Sequence, residues 1–151
     1  MTEADHQRAI GAVVDEMYAM ISGPAGSRDW SRQDAIFDAE SRRIRTWIAP
    51  DGRPARRIMS RDDYARDTSA FFAANAFYEV EVGRAIHVFG NIAHVWSVYE
   101  ARRAPDAAEL DRRGINSIQL YFDGDRWMIV SMIWDNERDG LAATIPGSPP
   151  G

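Results

Sequence analysis

The stretch SIQLYFDGDRWMIVSMIWD, Ser117 to Asp135, decides the fold. Alternation with a period of two runs on both sides of Asp123-Gly124, so the stretch reads as two strands joined by a turn. One alternate set is Ile118, Leu120, Met128, Val130, Met132 and Trp134; the other mixes Ser117, Gln119, Tyr121, Ser131 and Asp135. A three-residue turn with Gly124 in the left-handed conformation keeps the Met/Trp set on one face, which is expected to look inward. The outer face would then expose Tyr121, Trp127 and Ile133, too apolar a surface for a monomer. A homodimer through the sheet is the expected consequence.

Upstream, Gly90-Asn91 suits a two-residue hairpin turn that sets Phe89 against Ile92 and His87 against His94. Continued without interruption, the same register sets Glu81 against Glu100 and Glu79 against Arg102. Gly83 is the place for a bulge that would change the facing partway along the first of these strands. One face of the hairpin carries His87, His94, Trp96, Val98, Glu100 and Arg102. The other carries Ile86, Val88, Ala93, Val95, Ser97 and Tyr99, and hydrophobicity alone would put this second set inside.

The first half of the chain has a different period. Ile10, Val13, Val14, Met17, Tyr18 and Ile21 form the stripe of an amphipathic helix over residues 4–21, capped by Thr2 and Asp5. A short helical turn follows near Trp30, with Ser31 as its expected cap. Residues 42–49 read as a strand and 50–54 as its turn. Ser60 and Asp63 open a second helix that sets Tyr64, Thr68, Phe71, Phe72 and Asn75 on one side. Helices first and antiparallel strands afterwards make an α+β domain, with the helices on one face of one sheet. A single domain over residues 1–140 is expected, with 141–151 as a flexible tail.

Composition excludes several chemistries. The chain of 151 residues is 45% apolar, with five Trp, enough for a packed core. It has no Cys and its 18 basic residues are all Arg, which removes thiolate, Schiff-base and phosphate-loop-lysine chemistry. A net charge of −5 argues against nucleic acid as a partner. Eight Arg between positions 42 and 66 are interleaved with Asp51, Asp62 and Asp63, which reads as a solvated, ion-paired surface. No apolar run is long enough to span a membrane, and the N-terminus has no apolar signal region, so a cytoplasmic location is expected.

The segments FGNIAHVWSVYEARR and RGINSIQLYFDGDRWMIVSMIWDNE resemble the last strands of the nuclear-transport-factor-2-like superfamily. The resemblance is nearest to its polyketide-cyclase-like and small uncharacterised bacterial members, and it covers roughly residues 5–137. It implies a cystatin-like α+β cone, a strongly curved antiparallel sheet wrapped around the N-terminal helices, with a pocket inside and dimers common. Aligned to that pattern, Met128, Val130, Met132 and Trp134 face inward on the last strand. The same alignment puts His94, Trp96, Val98 and Glu100 inside, against the hydrophobicity reading, and is followed here because pocket walls carry polar residues. Steroid isomerases of this fold pair a helix-borne Tyr with cavity carboxyl groups; Tyr18 fits the first part, but Asn116 and Ile118 stand where an acid would be needed. The Asp-Arg-Asp set of the fold's epoxide hydrolases cannot be assembled from this chain.

Three functions follow as expectations. The first is a container for a small apolar molecule, lined by Trp96, Asn116, Ile118, Met128, Val130, Met132 and Trp134. The second is a cofactor-independent isomerase, cyclase or dehydratase, with His94 and Glu100 as acid and base and Tyr18 as hydrogen-bond donor. The third is an interaction module that uses the outer sheet face, its interior plugged by Trp96 and Trp134. No cofactor and no metal site is expected; His87 and His94 near a carboxylate read as chance proximity.

Overall fold

A computed structural model describes residues 1–148. Helix α1 (Glu3–Ile21) begins at a capping box in which Thr2 and Asp5 satisfy each other's backbone N–H groups. Its buried stripe is Ile10, Val14, Met17, Tyr18 and Ile21, as the periodicity predicts, with Met20 in addition. No basic residue lies in its last turn, but Arg28 folds back to donate to the carbonyls of Ile21, Gly23, Pro24 and Gly26. A cation there satisfies orphan carbonyls and opposes the negative end of the helix. A 3₁₀ turn (Trp30–Arg32) and α2 (Gln33–Ile36) follow. Asp29, not Ser31, caps the turn: its carboxylate accepts from Ser31 N–H at 3.1 Å.

Strands β1 (Phe37–Ile48) and β2 (Pro54–Met59) form a hairpin, and α3 (Arg61–Ala74) starts at the Ser60/Asp63 capping box. Strands β3 (Tyr78–Phe89), β4 (Ile92–Arg102), β5 (Arg112–Phe122) and β6 (Trp127–Asn136) complete one open sheet in the order β2-β1-β6-β5-β4-β3. The pairings are antiparallel except β1 with β6, which is parallel. The sheet is therefore mixed rather than wholly antiparallel. Among the described residues no helix is long and apolar enough to cross a membrane.

Two register shifts decide which residues look inward. The first hairpin closes as expected, with Phe89 paired to Ile92 and His87 to His94. Gly90 takes φ +56°, the first position of a type II′ turn. The shift between Glu81 and Gly83 then pairs Glu81 with Tyr99 and Glu79 with Ala101, not with Glu100 and Arg102. A bulge of this kind adds one residue to one strand and reverses the facing beyond it. Consequently Glu79 and Glu81 share the inner face with Ile86 and Val88 on the far side of the bulge.

In the second hairpin Asp123 N–H bonds to the Arg126 carbonyl at 3.1 Å, so the turn is the two residues Gly124-Asp125. Gly124 has the expected positive φ (+104°), but Leu120 pairs with Ile129 and Phe122 with Trp127. Trp127 and Ile129 are therefore buried in the core, and Met128 and Val130 leave the inner face. A shift at Val130 restores Met132 opposite Ile118 and Trp134 opposite Asn116. The expectation of a single Met/Trp face thus holds for Met132 and Trp134 and fails for Met128 and Val130. Trp127, expected outside, donates its indole N–H to His6 Nδ1 at 3.0 Å.

The core lies between α1, α3 and the concave face of the sheet. On the convex face Phe89 (83% exposed), Ile92, Tyr121 and Ile133 meet solvent. Beyond β6 the chain turns back through Leu141; Ala143 is buried and Ile145 reaches Gly83. The remaining tail, 149–151, lies outside the described residues.

Candidate functional site

The interior of the cone is not filled. A cavity of about 270 Å³ opens between α1, α3 and strands β1, β3, β4, β5 and β6. Its apolar wall is Met17 and Ile21 from α1, Phe71 and Phe72 from α3, and Phe77, Met132 and Trp134 from the sheet side. The rings interlock: Tyr64 meets Trp134 edge-on with centroids 6.4 Å apart, and Phe71 meets Phe77 at 5.8 Å. Edge-to-face packing is a preferred arrangement for such rings and fixes them relative to one another.

Into this apolar space project Arg43 and Arg45 from β1, Tyr64 from α3, Glu79 from β3, and Arg112 and Asn116 from β5. Glu79 is half-buried, and its carboxylate makes no hydrogen bond or ion pair among the described residues. Desolvation raises its pKa from 4.5 to about 7, opposed by the attraction of Arg112. Arg43 is only 3% exposed and is sandwiched between the rings of Phe37 and Tyr64, its guanidinium carbon 3.7 and 3.9 Å from their centroids. It donates one bond, to Gln33, and burial lowers its pKa to about 10, still protonated at neutral pH. The Tyr64 hydroxyl is raised above its ordinary pKa, first by burial, and has no hydrogen-bond partner among the described residues. Glu79 is thus a carboxyl poised to hold or release a proton near neutrality, inside a shell of aromatic faces and guanidinium groups.

A second polar set stands just behind the cavity wall. Asn116 Nδ2 donates to the Tyr18 hydroxyl at 3.0 Å, and the Tyr18 and Ser97 hydroxyls are 2.5 Å apart. Ser97 donates to Glu81 at 2.5 Å. Glu81 pairs with Arg84 at 2.7 Å, and Arg84 with Asp15 at 2.5 Å. The chain runs from the cavity at Asn116 to the surface at Asp15. Burial raises the Tyr18 pKa, so its phenol stays protonated and can donate. Gly11 of α1 gives Arg84 its seat: a Cβ there would fall 2.7 Å from the guanidinium.

The structure brings together Tyr18, Asn116, Met132 and Trp134 from the expected set. Tyr18 stands behind the wall, and Ile118 is packed in the core rather than on the cavity. It separates the others. His94 and Trp96 lie on the convex face: His94 Nε2 is 2.9 Å from Ser117 Oγ, and the two rings meet edge-on at 5.0 Å. Burial, then neighbouring His87, lowers the His94 pKa. Glu100 also faces outward, paired with Arg102 at 3.1 Å and with Arg113. Val130 lines, with His94, a second groove near the β3–β4 hairpin, and Met128 is buried outside the main core. The hydrophobicity reading of β4 was the correct one: Ala93, Val95, Ser97, Tyr99 and Ala101 face the core. Aligning β4 by resemblance alone moved its facing by one residue, which exchanges the two faces of a strand.

Glu79, Glu81, Arg43, Arg45 and Tyr64 are the residues the sequence reading missed. For the two glutamates the signal was present, since a bulge at Gly83 combined with the hydrophobic face of β4 turns both inward.

Among solved structures with this architecture is an NTF-2-like protein of unknown function from Silicibacter pomeroyi DSS-3. It is 20% identical, with a TM-score of 0.61, over 91% of this chain and 100% of that one. A protein of unknown function with a cystatin-like fold from Nostoc punctiforme superposes with a TM-score of 0.68 at 12% identity, over 91% and 94%. A nuclear-transport-factor-2-like superfamily protein from Salmonella enterica gives 0.65 at 15% identity, over 98% and 100%. The chain has the nuclear-transport-factor-2-like, cystatin-like α+β cone fold. No protein-family model and no curated protein matches its sequence.

The raised pKa of Glu79 has a consequence for stability. Below pH 4.5 the carboxyl is protonated in both folded and unfolded chains, and its burial carries no ionisation penalty. As pH rises to about 7 the unfolded chain releases the proton first, so stability falls and remains lower above that pH. Glu79→Gln removes the effect. Urea unfolding should find the variant more stable than wild type at about pH 8, by up to about 3 kcal/mol, and equal to it near pH 4. A difference that does not change with pH would contradict this assignment.

Proposed function

We propose that this chain is a small-molecule-binding cone whose cavity receives a flat, mainly apolar ligand. The observation that carries this reading is an open, aromatic-walled space of about 270 Å³ into which project Arg45, Tyr64 and Glu79, polar side chains without partners among the described residues. Apolar walls with a few convergent polar groups are the usual form of a ligand site, and a ligand satisfies what the protein leaves unpaired. The fold by itself supports no particular ligand, because it hosts unrelated functions. Trp96 stands on the convex face and Trp134 on the cavity wall, so neither plugs the interior, which disfavours a pure interaction module.

Calorimetric titration with 2-naphthol tests the container. At roughly half a kcal/mol per heavy atom its dissociation constant should be on the order of 10–100 µM. Thr68→Phe, which puts a ring into the cavity from α3, should weaken binding at least about ten-fold. Absence of binding to the wild-type protein would count against the reading.

The Glu79 carboxyl supports a second reading, a cofactor-independent proton-transfer enzyme of the isomerase, cyclase or dehydratase kind. Glu79 takes the role first expected of His94 and Glu100, because a carboxyl that titrates near 7 serves as acid or base at neutral pH. Tyr18 gives its one proton to Ser97, whose own proton goes to Glu81, and accepts from Asn116, so it positions Asn116 behind the wall and does not itself donate to a ligand. Deuterium incorporation next to the carbonyl of 2-tetralone in D₂O, followed by NMR, isolates that step. Wild type should accelerate exchange and Glu79→Gln should lose on the order of 10²-fold or more; equal rates in the two proteins would remove Glu79 from the chemistry.

The apolar convex face supports pairing of two copies through the sheet. Phe89, Ile92, Tyr121 and Ile133 are all exposed there, and a monomer rarely leaves so many apolar side chains in water. Sedimentation equilibrium should give twice the 17.0 kDa chain mass; a single chain mass at high protein concentration would remove the dimer.

A further inference from the structure

We infer that the ligand of this cavity is an aromatic carboxylate, held by Arg43 and Arg45 at its acid end and by the Tyr64, Phe71 and Trp134 rings along its apolar body. The inference rests on the container reading and adds the chemical class.

It begins from charges that the protein does not balance. Five charged side chains line the cavity: Arg43, Arg45, Asp67, Glu79 and Arg112. Asp67 is occupied by Arg57 at 2.9 Å, and Arg112 by Asp111 at 3.0 Å. Among the described residues Arg43 and Arg45 have no carboxylate within ion-pair distance, and Glu79 has no cation within it. The unpaired set is therefore two cations against one carboxyl.

Arg43 is the decisive member. A guanidinium that is 3% exposed has lost nearly all of its water, and a buried cation is ordinarily matched by a carboxylate. Here its neighbours are two ring faces, the Gln33 amide and a second cation, Arg61. Gln33 uses one donor of a group that has five. The remaining edge borders the cavity, where a planar carboxylate matches the guanidinium fork.

Arg45 lies two residues further along β1 on the same face, half-buried, and makes no side-chain hydrogen bond among the described residues. Together the two form a cationic end to an aromatic slot. An apolar cavity of about 150 Å³ holds one benzene ring, so about 270 Å³ holds a ring with an acid-bearing substituent or a fused pair of rings. A monoanion also leaves the unpaired set neutral when Glu79 is ionised.

The test compares each acid with its neutral amide, using benzoate, trans-cinnamate and 2-naphthoate against benzamide, cinnamamide and 2-naphthamide. Calorimetry on the full-length protein at about pH 8 should show at least one acid binding ten-fold or more tighter than its amide. Arg43→Met should abolish that preference by weakening the acids far more than the amides. If Arg43→Met does not fold, Arg45→Met carries the test and should cut the preference at least about three-fold. Amides that bind as tightly as the acids would overturn the carboxylate and leave the container standing. A preference undiminished in the variants would overturn the role of the two arginines. Failure of every acid and every amide to bind at millimolar concentration would sink the container reading itself.

Discussion

Among the described residues three charged groups on this cone's cavity lack charged partners, Arg43, Arg45 and Glu79, and the interior is arranged around tolerating the first and the last. A folded chain has two ways to keep an unmatched charge out of water. It can surround the charge with polarisable faces, or it can let the group titrate to its neutral form. Arg43 takes the first route between Phe37 and Tyr64, with Gln33 at one edge. Glu79 takes the second, through a pKa raised to about 7. Neither arrangement helps folding, and sites that work against stability are the ones where function is expected.

The backbone devices that create this interior are two shifts of register. Without the bulge near Val82, Glu79 and Glu81 would point to solvent. Without the one at Val130, Met132 and Trp134 would leave the cavity wall. Each bulge bends its strand and changes the facing of every residue beyond it. The curvature that makes a cone and the polar lining that makes a site thus arise from the same irregularities. The network from Asn116 through Tyr18, Ser97, Glu81 and Arg84 to Asp15 then ties the wall to α1, the element that closes the cone.

Much of the architecture was legible in the residues. The helix stripes of Ile10 to Ile21 and Tyr64 to Phe72, both capping boxes, the Gly90-Asn91 turn and the α+β order all follow from local chemistry. The facing was less legible, because a single inserted residue exchanges the two faces of a strand and its sequence mark in β3 is one glycine, Gly83. Resemblance led β4 astray where hydrophobicity had it right, since Val95 and Tyr99 outweigh His94 and Glu100 in the free energy of burial. Arg43 and Arg45 were hidden for the opposite reason. In RRIRTWIA Ile44 looks like the inward residue, yet it faces away while Arg43 and Arg45 face in. Only tertiary contacts, the rings of Phe37 and Tyr64, make that reversal tolerable.

The central claim is that Glu79 lies in a desolvated cavity and holds its proton near neutrality. It is tested most directly by carbon-13 NMR on protein labelled at the glutamate side-chain carboxyl carbons, with Glu79→Gln identifying the resonance. Titration should give a midpoint close to pH 7, more than two pH units above an ordinary glutamate. A midpoint near 4.5 would place the carboxyl in water and contradict the cavity as described.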